Sequence, residues 1–293
     1  MPEGPGTGPD RELLTMTRAP IPPPVPEPRR RRYLLCPPTH FAVDYAINPW
    51  MDPGRPVDGA AAERQWRRLC AVLRGLGHEV ATVDPLPGLP DMVFTANGAT
   101  VVDGRVLVAR FKHAERAGEA AAHRRWFAGA GFRPVHTASL VNEGEGDLLV
   151  AGRRILAGSG FRTTAPAHRE AQRLLGLPVV TLQLVDPRFY HLDTALAVLG
   201  DDQIMYWPPA FSAASRRLLA TLYPDAVRGA AADAAVFGLN AVCDGRHVVL
   251  PRAATGLAAQ VHARGYRPVP VEMPELLKAG GGPKCCTLEL RGA

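Results

Sequence analysis

The chain has few cysteines, and their spacing argues against metal and disulfide frameworks. Five cysteines occur among 293 residues, at positions 36, 70, 243, 285 and 286. None forms a CxxC pair, and an odd, sparse set is typical of reduced thiols in the cytoplasm. The nine histidines contain no HxxxH or HxH pattern. We therefore expect a cytoplasmic protein that works without a metal or another cofactor.

The sequence also lacks long apolar runs and a concentrated basic region. No apolar stretch approaches the roughly 18 residues of a membrane span, and the first residues form no apolar leader. The net charge is +6, of which residues 1–32 carry +2 and the remaining residues carry +4 without clustering. Because no basic face with interleaved aromatics is visible, we expect neither nucleic acid nor a membrane as a partner.

Composition divides the chain into a short tail and one large domain. Residues 1–32 contain the stretch APIPPPVPEP and the run RRRR, and proline-rich segments of this kind stay extended and unfolded. Hydrophobic residues make up 46% of the chain, which supports a substantial buried core. We predict a disordered tail over residues 1–32 and a single globular domain over residues 33–293.

A pattern of about 48 residues recurs along this domain. The segments ATVVDGRVLVAR, DLLVAGRRILAG, LAVLGDDQIMYWP and NAVCDGRHVVLP each join two apolar runs through a tight turn, which is typical of a β-hairpin. Each is followed by a helical stretch, near residues 113–130, 165–175, 209–222 and 253–264, and then by a strand. The repeat predicts four ββαβ units.

The two ends of the domain supply a fifth unit. The strand RYLLC, a helix near residues 60–76 and the strand HEVATVD lack one strand, which CCTLELR from the far end can provide. The predicted fold class is α/β, as a five-bladed, pseudo-symmetric ββαβ propeller closed into a ring without a free edge. A plain α+β domain with coincidental spacing is the alternative.

Polar side chains recur where the last strand of a unit passes to the next hairpin. Asp91, Glu143, His191 and Cys285 occupy these places, separated by 52, 48 and 94 residues, close to one, one and two repeats. Equivalent positions around a pseudo-symmetric ring converge on its axis. We therefore expect a cysteine, a histidine and two carboxylates to share one central cavity.

The adjacent cysteines differ in their predicted surroundings. Side chains alternate along a strand, so in CCTLELR Cys285 lies on the polar face and Cys286 on the apolar face. Cys285 also follows Lys284, and a neighbouring cation favours a thiolate. We interpret Cys285 as a candidate nucleophile and Cys286 as a buried apolar residue.

The carboxylates indicate what such a nucleophile acts on. In an extended HLD segment, His191 and Asp193 share one face, so His191 can act as an acid and base while Asp193 orients it or holds the substrate. Anionic groups around a cysteine–histidine pair favour a cationic, planar reacting group. Guanidinium fits because its N–H fork matches carboxylates in bidentate fashion.

These motifs resemble the guanidine-modifying, or pentein, superfamily, which includes dimethylarginine dimethylaminohydrolases, arginine deiminases, arginine dihydrolases and amidinotransferases. The likeness covers the chain from about Tyr33 and rests on PDMVFTAN, RFKHAERAGE, NEGEGDLL, GSGFRTT, YHLDTALA and GGPKCCTLEL. It implies that a cysteine hydrolyses the guanidino C–N bond of arginine or an N-methylated arginine through a thiouronium, giving citrulline.

The resemblance also assigns roles to residues. It implies Cys285 as nucleophile, His191 as general acid and base and Glu143 as a further catalytic acid, with Asp91, Glu143 and Asp193 gripping the guanidinium. Asn97 and Asn48 are expected to bind the substrate. It places Arg116 and Arg162 where the substrate α-carboxylate is bound, and their sequence surroundings suggest the rim of a channel entrance.

Two departures from the pattern leave alternatives open. EGEGD is one residue longer than the usual EGGD, so Glu145 can replace Glu143. Asn97 stands where acidic residues are usual, and together with Asn48 in INPWM it is similar to the arginine dihydrolases, which release ornithine and ammonia. An amidinotransferase and a non-catalytic arginine-binding protein are further alternatives. A small guanidino molecule is the expected partner, and a homo-oligomer is compatible with the sequence.

Overall fold

The computed structural model describes Met1 and residues 27–292. Most of the predicted tail, residues 2–26, therefore lies outside the described residues. The first strand begins at Arg32, within the RRRR run. Arg29 pairs with Asp201 at 3.0 Å and Arg31 pairs with Glu289 at 2.8 Å, so arginines of this run contact the body of the protein.

Fifteen strands in the described part of the chain form five separate three-stranded sheets. The strands are β1 (Arg32–Leu35), β2 (Glu79–Thr82), β3 (Ala99–Val102), β4 (Arg105–Val108), β5 (Val135–Thr137), β6 (Leu148–Ala151), β7 (Arg154–Ser159), β8 (Val179–Gln183), β9 (Leu196–Gly200), β10 (Gln203–Tyr206), β11 (Val227–Arg228), β12 (Val242–Cys243), β13 (His247–Pro251), β14 (Arg267–Val271) and β15 (Leu288–Glu289).

Every sheet has the same internal pattern. Two strands pair antiparallel, and the middle strand also pairs parallel with a third strand that returns after a helix, as in β6–β7–β8. The fifth sheet has the order β15–β1–β2, so the far end of the chain completes the opening unit. The five-bladed ββαβ prediction is confirmed. No hydrogen-bonded ladder joins one described sheet to another, however, so each sheet has two edge strands and the expected absence of free edges was wrong.

In each blade one helix connects the middle strand to the third strand, and three further short helices lie in the linkers between sheets. The helices are α1 (Gly59–Gly75), α2 (Glu119–Gly129), α3 (Ala165–Leu175), α4 (Leu192–Ala195), α5 (Ala213–Leu222), α6 (Ala231–Ala235), α7 (Thr255–Ala263) and α8 (Pro274–Leu277). The short helices α4, α6 and α8 were not predicted.

Local sequence explains where the longer helices begin and end. Asp58 precedes α1, and its carboxylate accepts the Ala61 N–H at 2.9 Å, which satisfies one of the free amides of the first turn. Gly176 ends α3 with a φ of +79°, a left-handed conformation that favours glycine. The buried faces of the helices pack against the sheets, and the cores of neighbouring blades are built largely from leucine, valine and alanine.

The arrangement of the first strands fixes the position of the site. First strands of neighbouring sheets contact one another, as β6 does with β9 and β9 with β12. Each first strand is entered through a linker from the third strand of the preceding sheet. Two of these linkers contain short 3₁₀ turns: Pro90–Val93 and Thr95–Gly98 lie between β2 and β3, and Gly144–Gly146 lies between β5 and β6. The other three linkers contain the short helices α4, α6 and α8. The linkers thus meet at one end of the ring axis.

Candidate active site

The five linkers each bring one buried polar side chain to the same end of the ring. They contribute Asp91, Glu143, His191, Asn240 and Cys285, none more than 2% exposed. Successive members are separated by 52, 48, 49 and 45 residues. Four of them were predicted from their spacing, whereas Asn240 was not, although the double interval between His191 and Cys285 was the signal for a fifth position.

Cys285 lies in a tight turn, and this differs from the prediction that it begins a strand. Strand β15 starts only at Leu288, and the backbone turns at residues 283–286. The Cys286 N–H donates to the Gly282 carbonyl at 3.2 Å. The side chains of Cys285 and Cys286 therefore point in different directions because of this turn, and not because side chains alternate along a strand. Cys286 is fully buried within an apolar cluster, as expected.

Two side chains hold the Cys285 sulfur. Its Sγ donates to Asp193 Oδ2 at 3.2 Å, and Asn240 Nδ2 donates to Sγ at 3.1 Å. Asn240 Oδ1 also accepts the backbone N–H groups of Lys284 and Cys285, at 3.0 and 3.1 Å. One amide therefore fixes both the sulfur and the backbone turn that carries it.

His191 is held by a buried carboxylate. His191 Nε2 lies 2.7 Å from Glu143 Oε2, and Arg162 Nη1 donates to the same oxygen at 2.8 Å. The Glu143 Oε1 atom accepts the Lys112 N–H at 3.1 Å. Burial alone would raise the pKa of Glu143, but Arg162 and His191 lower it below its ordinary value. Glu143 is therefore an anion in contact with the imidazole ring.

The HLD segment is not extended, which corrects the basis on which Asp193 was chosen. His191 precedes helix α4, and Asp193 lies in its first turn. The helix nevertheless directs the Asp193 carboxylate to Cys285. Burial raises the pKa of Asp193 to about 6, although His191 and Lys284 oppose the rise.

Asp91 is held by Tyr45 and lies near Arg116. Its Oδ2 accepts from Tyr45 Oη at 3.0 Å and lies 3.8 Å from Arg116 Nε. Burial raises the pKa of Asp91 in spite of Arg116. Burial raises the pKa of the Tyr190 hydroxyl well above its ordinary value, and Cys285, Asp193 and Asp91 add to the rise while Arg162 opposes it.

Several buried polar atoms of the site have no hydrogen-bond partner. They are Asp91 Oδ1, Asp193 Oδ1, His191 Nδ1 and Asn97 Nδ2. In the described part of the chain, no other carboxylate oxygen is both buried and unpartnered. Since an unpaired buried polar group costs about 1–3 kcal/mol, their concentration in one place indicates a site built for a polar ligand.

Arg116 and Arg162 do not lie at an exposed rim, and that prediction was wrong. They are only 3% and 4% exposed. Arg116 forms a bidentate pair with Glu119 at 2.8 and 2.9 Å and donates to Asn97 Oδ1 at 2.7 Å. Arg162 donates to Glu143 and, at 2.8 Å, to the Ile47 carbonyl. Both cations balance the carboxylates that surround the site.

The remaining predicted residues occupy distinct places. Asn48 is half-buried and makes loop contacts, donating to the Ala279 carbonyl at 3.1 Å and accepting the Trp50 N–H at 2.9 Å. Glu145 faces away from His191 and contacts Arg291 and, at 2.8 Å, Lys284 Nζ. Glu143, not Glu145, is the glutamate next to His191.

Besides Asn240, two buried acids were missed by the sequence analysis. Glu119 neutralises Arg116, and Asp147 accepts the backbone N–H groups of Leu192 and Thr163 at 3.0 and 3.1 Å. Glu119 is three residues from Arg116 in RAGE, which was a local signal. Asp147 belongs to EGEGD, but its role as an anchor of the His191 segment depends on tertiary contacts that spacing does not reveal.

Gly146 shows how closely the site is packed. A Cβ atom there would lie 2.3 Å from Asn97 Nδ2 and 3.2 Å from His191 Cγ. Because real Cβ atoms do not approach this closely, the close approach of the linker, Asn97 and His191 requires glycine.

Within the described residues, no helix is both long and apolar enough to span a bilayer. The same part of the chain contains no group of three or more histidine, cysteine, aspartate or glutamate side chains arranged to hold a metal ion.

Known proteins are similar to this chain in sequence and in fold. The chain is 58% identical over 263 residues to the N(G),N(G)-dimethylarginine dimethylaminohydrolase of Mycobacterium tuberculosis, covering 90% of this chain and 87% of that protein. It is 38% identical over 270 residues to the bifunctional arginine dihydrolase/ornithine cyclodeaminase AgrE of Nostoc, covering 89% of this chain but only 38% of that longer protein. No protein-family model matches the chain.

Solved structures give the same picture. The substrate-bound N-terminal domain of ArgZ, an arginine dihydrolase of cyanobacteria, matches with a TM-score of 0.86 and 37% identity, over 89% of this chain and 98% of that domain. A dimethylarginine dimethylaminohydrolase adduct matches with a TM-score of 0.73 at 18% identity, over 89% of this chain and 99% of that one. The second match is a likeness of fold.

Proposed function

Because the chain belongs to the dimethylarginine dimethylaminohydrolase family of pentein proteins, we propose that it hydrolyses the guanidino C–N bond of arginine or an N-methylated arginine. The product is citrulline, and the leaving group is ammonia or a methylated amine. The proposed enzyme acts in the cytoplasm on this small substrate, without metal, cofactor, nucleic acid or membrane. Assembly into a homo-oligomer is compatible with it.

One observation carries the proposal. Asp91 and Asp193 each have a buried carboxylate oxygen without a donor, and Asp193 also contacts the Cys285 sulfur. A guanidinium supplies N–H donors in a planar fork that fits carboxylates. Its binding between these two aspartates would satisfy both oxygens and place the central carbon next to the sulfur.

The first proposed step is activation of the nucleophile by the substrate. Burial and the Asp193 carboxylate raise the pKa of Cys285 well above its ordinary value, so the thiol is protonated in the free enzyme. A bound guanidinium neutralises Asp193 and brings a positive charge to the sulfur, which favours the thiolate. Cys285 then attacks the guanidinium carbon.

His191 serves as the acid and base of the later steps. Glu143 orients the imidazole at 2.7 Å. In the proposed mechanism the imidazolium form of His191 gives its proton to the departing nitrogen, and the adduct collapses to a thiouronium. The neutral imidazole then takes a proton from the water that attacks this intermediate. Expulsion of the Cys285 thiolate releases citrulline.

Arg116 and Arg162 provide positive charge at the site and are proposed to favour substrates with an α-carboxylate. Asn48 is proposed to act indirectly, since it tethers the loop at Ala279 and Gly280 that precedes Cys285. Tyr190 donates to the Gly280 carbonyl at 2.7 Å and supports the same loop.

A second candidate function, arginine dihydrolase, is favoured by Asn97. Its buried Nδ2 has no partner and approaches Gly146 beside His191. An amide donor there can hold a ureido oxygen, so citrulline could remain bound for a second hydrolysis to ornithine.

Product analysis separates the two. Purified protein should be incubated with L-arginine and with asymmetric dimethylarginine, and products quantified by mass spectrometry. Citrulline with one equivalent of amine supports the main proposal, whereas ornithine with two equivalents of ammonia supports the dihydrolase. Absence of turnover with both substrates would refute an amidine hydrolase.

A further inference from the structure

A cavity lies at the end of the ring opposite the candidate active site. It has a volume of about 740 Å³ and is lined by hairpin turns, including Asp103, Gly152 and Asp201. These residues follow strands β3, β6 and β9, whereas Asn97 and Asp193 precede β3 and β9. The cavity and the active site therefore open at opposite ends of the same strands.

The cavity is strongly basic. Eight arginine or lysine side chains line it, against three acidic ones. Glu79 and Glu145 lie outside the lining but pair with its cations. Eight cations against five carboxylates still leave an excess of three positive charges. Arg105 and Arg153 line the cavity and make no ion pair within the described part of the chain.

The inner end of the cavity reaches the loop that carries the nucleophile. Lys284 and Thr287, on either side of the two cysteines, are part of the lining. Lys284 Nζ contacts Glu145 at 2.8 Å and the Thr287 carbonyl at 3.0 Å, and Arg291 also pairs with Glu145. An anion in the cavity would share these two cations with Glu145.

We propose that this cavity binds a nucleotide-sized polyphosphate. Guanidinium groups match phosphate oxygens in bidentate fashion, and the arginines surround the cavity from several blades. Its volume lies within the range of small-molecule sites. Part of the cavity wall is apolar and is formed by Leu149, Leu177 and Val198. A phosphate chain alone would not need this apolar surface. This proposed site is distinct from the candidate active site, so a ligand can bind there whether or not the enzyme turns over its substrate.

Calorimetric titration of the full chain with inorganic tripolyphosphate and with ATP, both metal-free, tests the proposal. Sodium sulfate at matched ionic strength controls for general charge effects. The test variant is Arg105→Ala/Arg153→Ala, which removes two exposed cations of the lining. Arg124→Ala/Arg125→Ala is the matched control, because both arginines are exposed on α2 and lie outside the cavity.

We expect saturable binding that weakens by about tenfold in the test variant and is unchanged in the control, as two exposed ion contacts imply. Saturating L-arginine should not compete. Similar affinity for both probes assigns the site to a phosphate chain, and tighter binding of ATP assigns it to a nucleotide. The proposal is wrong if neither probe binds beyond sulfate, if both double variants respond alike, or if L-arginine displaces the anion.

Discussion

Replacing Asn240 with aspartate should suppress the reactivity of Cys285 while leaving the fold largely intact. In the native protein, Asn240 Nδ2 donates to Cys285 Sγ at 3.1 Å, and its Oδ1 accepts two backbone N–H groups. Aspartate has the same shape and keeps an oxygen for both amides. It exchanges the donor next to the sulfur for an acceptor that carries negative charge.

The size of the effect follows from the distance. Two like charges about 4 Å apart at an effective dielectric constant of about 20 repel by about 4 kcal/mol. This corresponds to a rise of about three units in the pKa of the Cys285 thiol. We expect kcat/KM at pH 8 to fall by about a thousandfold.

Asn240→Ala separates this electrostatic effect from stability. Alanine leaves the N–H groups of Lys284 and Cys285 and the Asp193 carbonyl without their partner, and each costs about 1–3 kcal/mol. Its free energy of unfolding in urea should fall by about 3 kcal/mol or more, and that of Asn240→Asp by less.

The assay is the rate of Cys285 alkylation by iodoacetamide as a function of pH, located by peptide mapping. Thr100→Val is the control, because the buried Thr100 hydroxyl has no partner to lose. An alkylation profile for Asn240→Asp that coincides with the native profile would show that Asn240 does not tune the sulfur.

Five further outcomes are expected. Cys285→Ser should abolish turnover without unfolding the protein, whereas Cys286→Ala should lose about 1 kcal/mol of stability and stay active. An active Cys285→Ser variant and an inactive Cys286→Ala variant would show that Cys285 is not the nucleophile. Since the pKa of Asp193 is about 6 and only its anion holds the guanidinium, kcat/KM should decline as pH falls below about 6, and a flat profile to pH 5 would contradict this. That raised pKa also means that the folded state binds the proton more tightly than the unfolded state, so this group adds stability as pH falls through 6. In urea titrations, the free energy of unfolding of Asp193→Asn should lack this gain at low pH. If it depends on pH as strongly as that of the native protein, Asp193 is not the group responsible. The native protein should have a far higher kcat/KM for arginine than for agmatine, and Arg162→Lys should reduce this ratio by about tenfold or more. Equal kcat/KM values of the native protein for the two substrates would contradict this. Dialysis against a chelator should leave activity intact, and zinc lost together with activity would overturn the metal-free mechanism.

The sequence predicted the blades well because their signals are local and repeated. Hairpins such as β3–β4 and β6–β7 and helix α3 matched the predicted segments, and the spacing of the linkers indicated which side chains meet. The fifth blade required a long-range pairing of β15 with β1, which only the missing strand of the opening unit suggested.

What could not be predicted depends on tertiary contacts. The turn at Cys285 and the helix at Asp193 replace the extended segments that alternation assumed, because Asn240 and Asp147 bind their backbone amides. The burial of Arg116 was equally hidden, since its pairing with Glu119 becomes favourable only inside a packed site.

The most direct test of the proposed mechanism is to trap the covalent intermediate. The protein should be mixed with L-arginine, quenched in acid within a fraction of its turnover time, and analysed by intact-protein and peptide mass spectrometry. We predict a thiouronium adduct on Cys285 that contains the whole arginine less one ammonia, disappears at later times and is absent in Cys285→Ser. Turnover of arginine with no adduct on any residue, or with an adduct on Cys286, would contradict it.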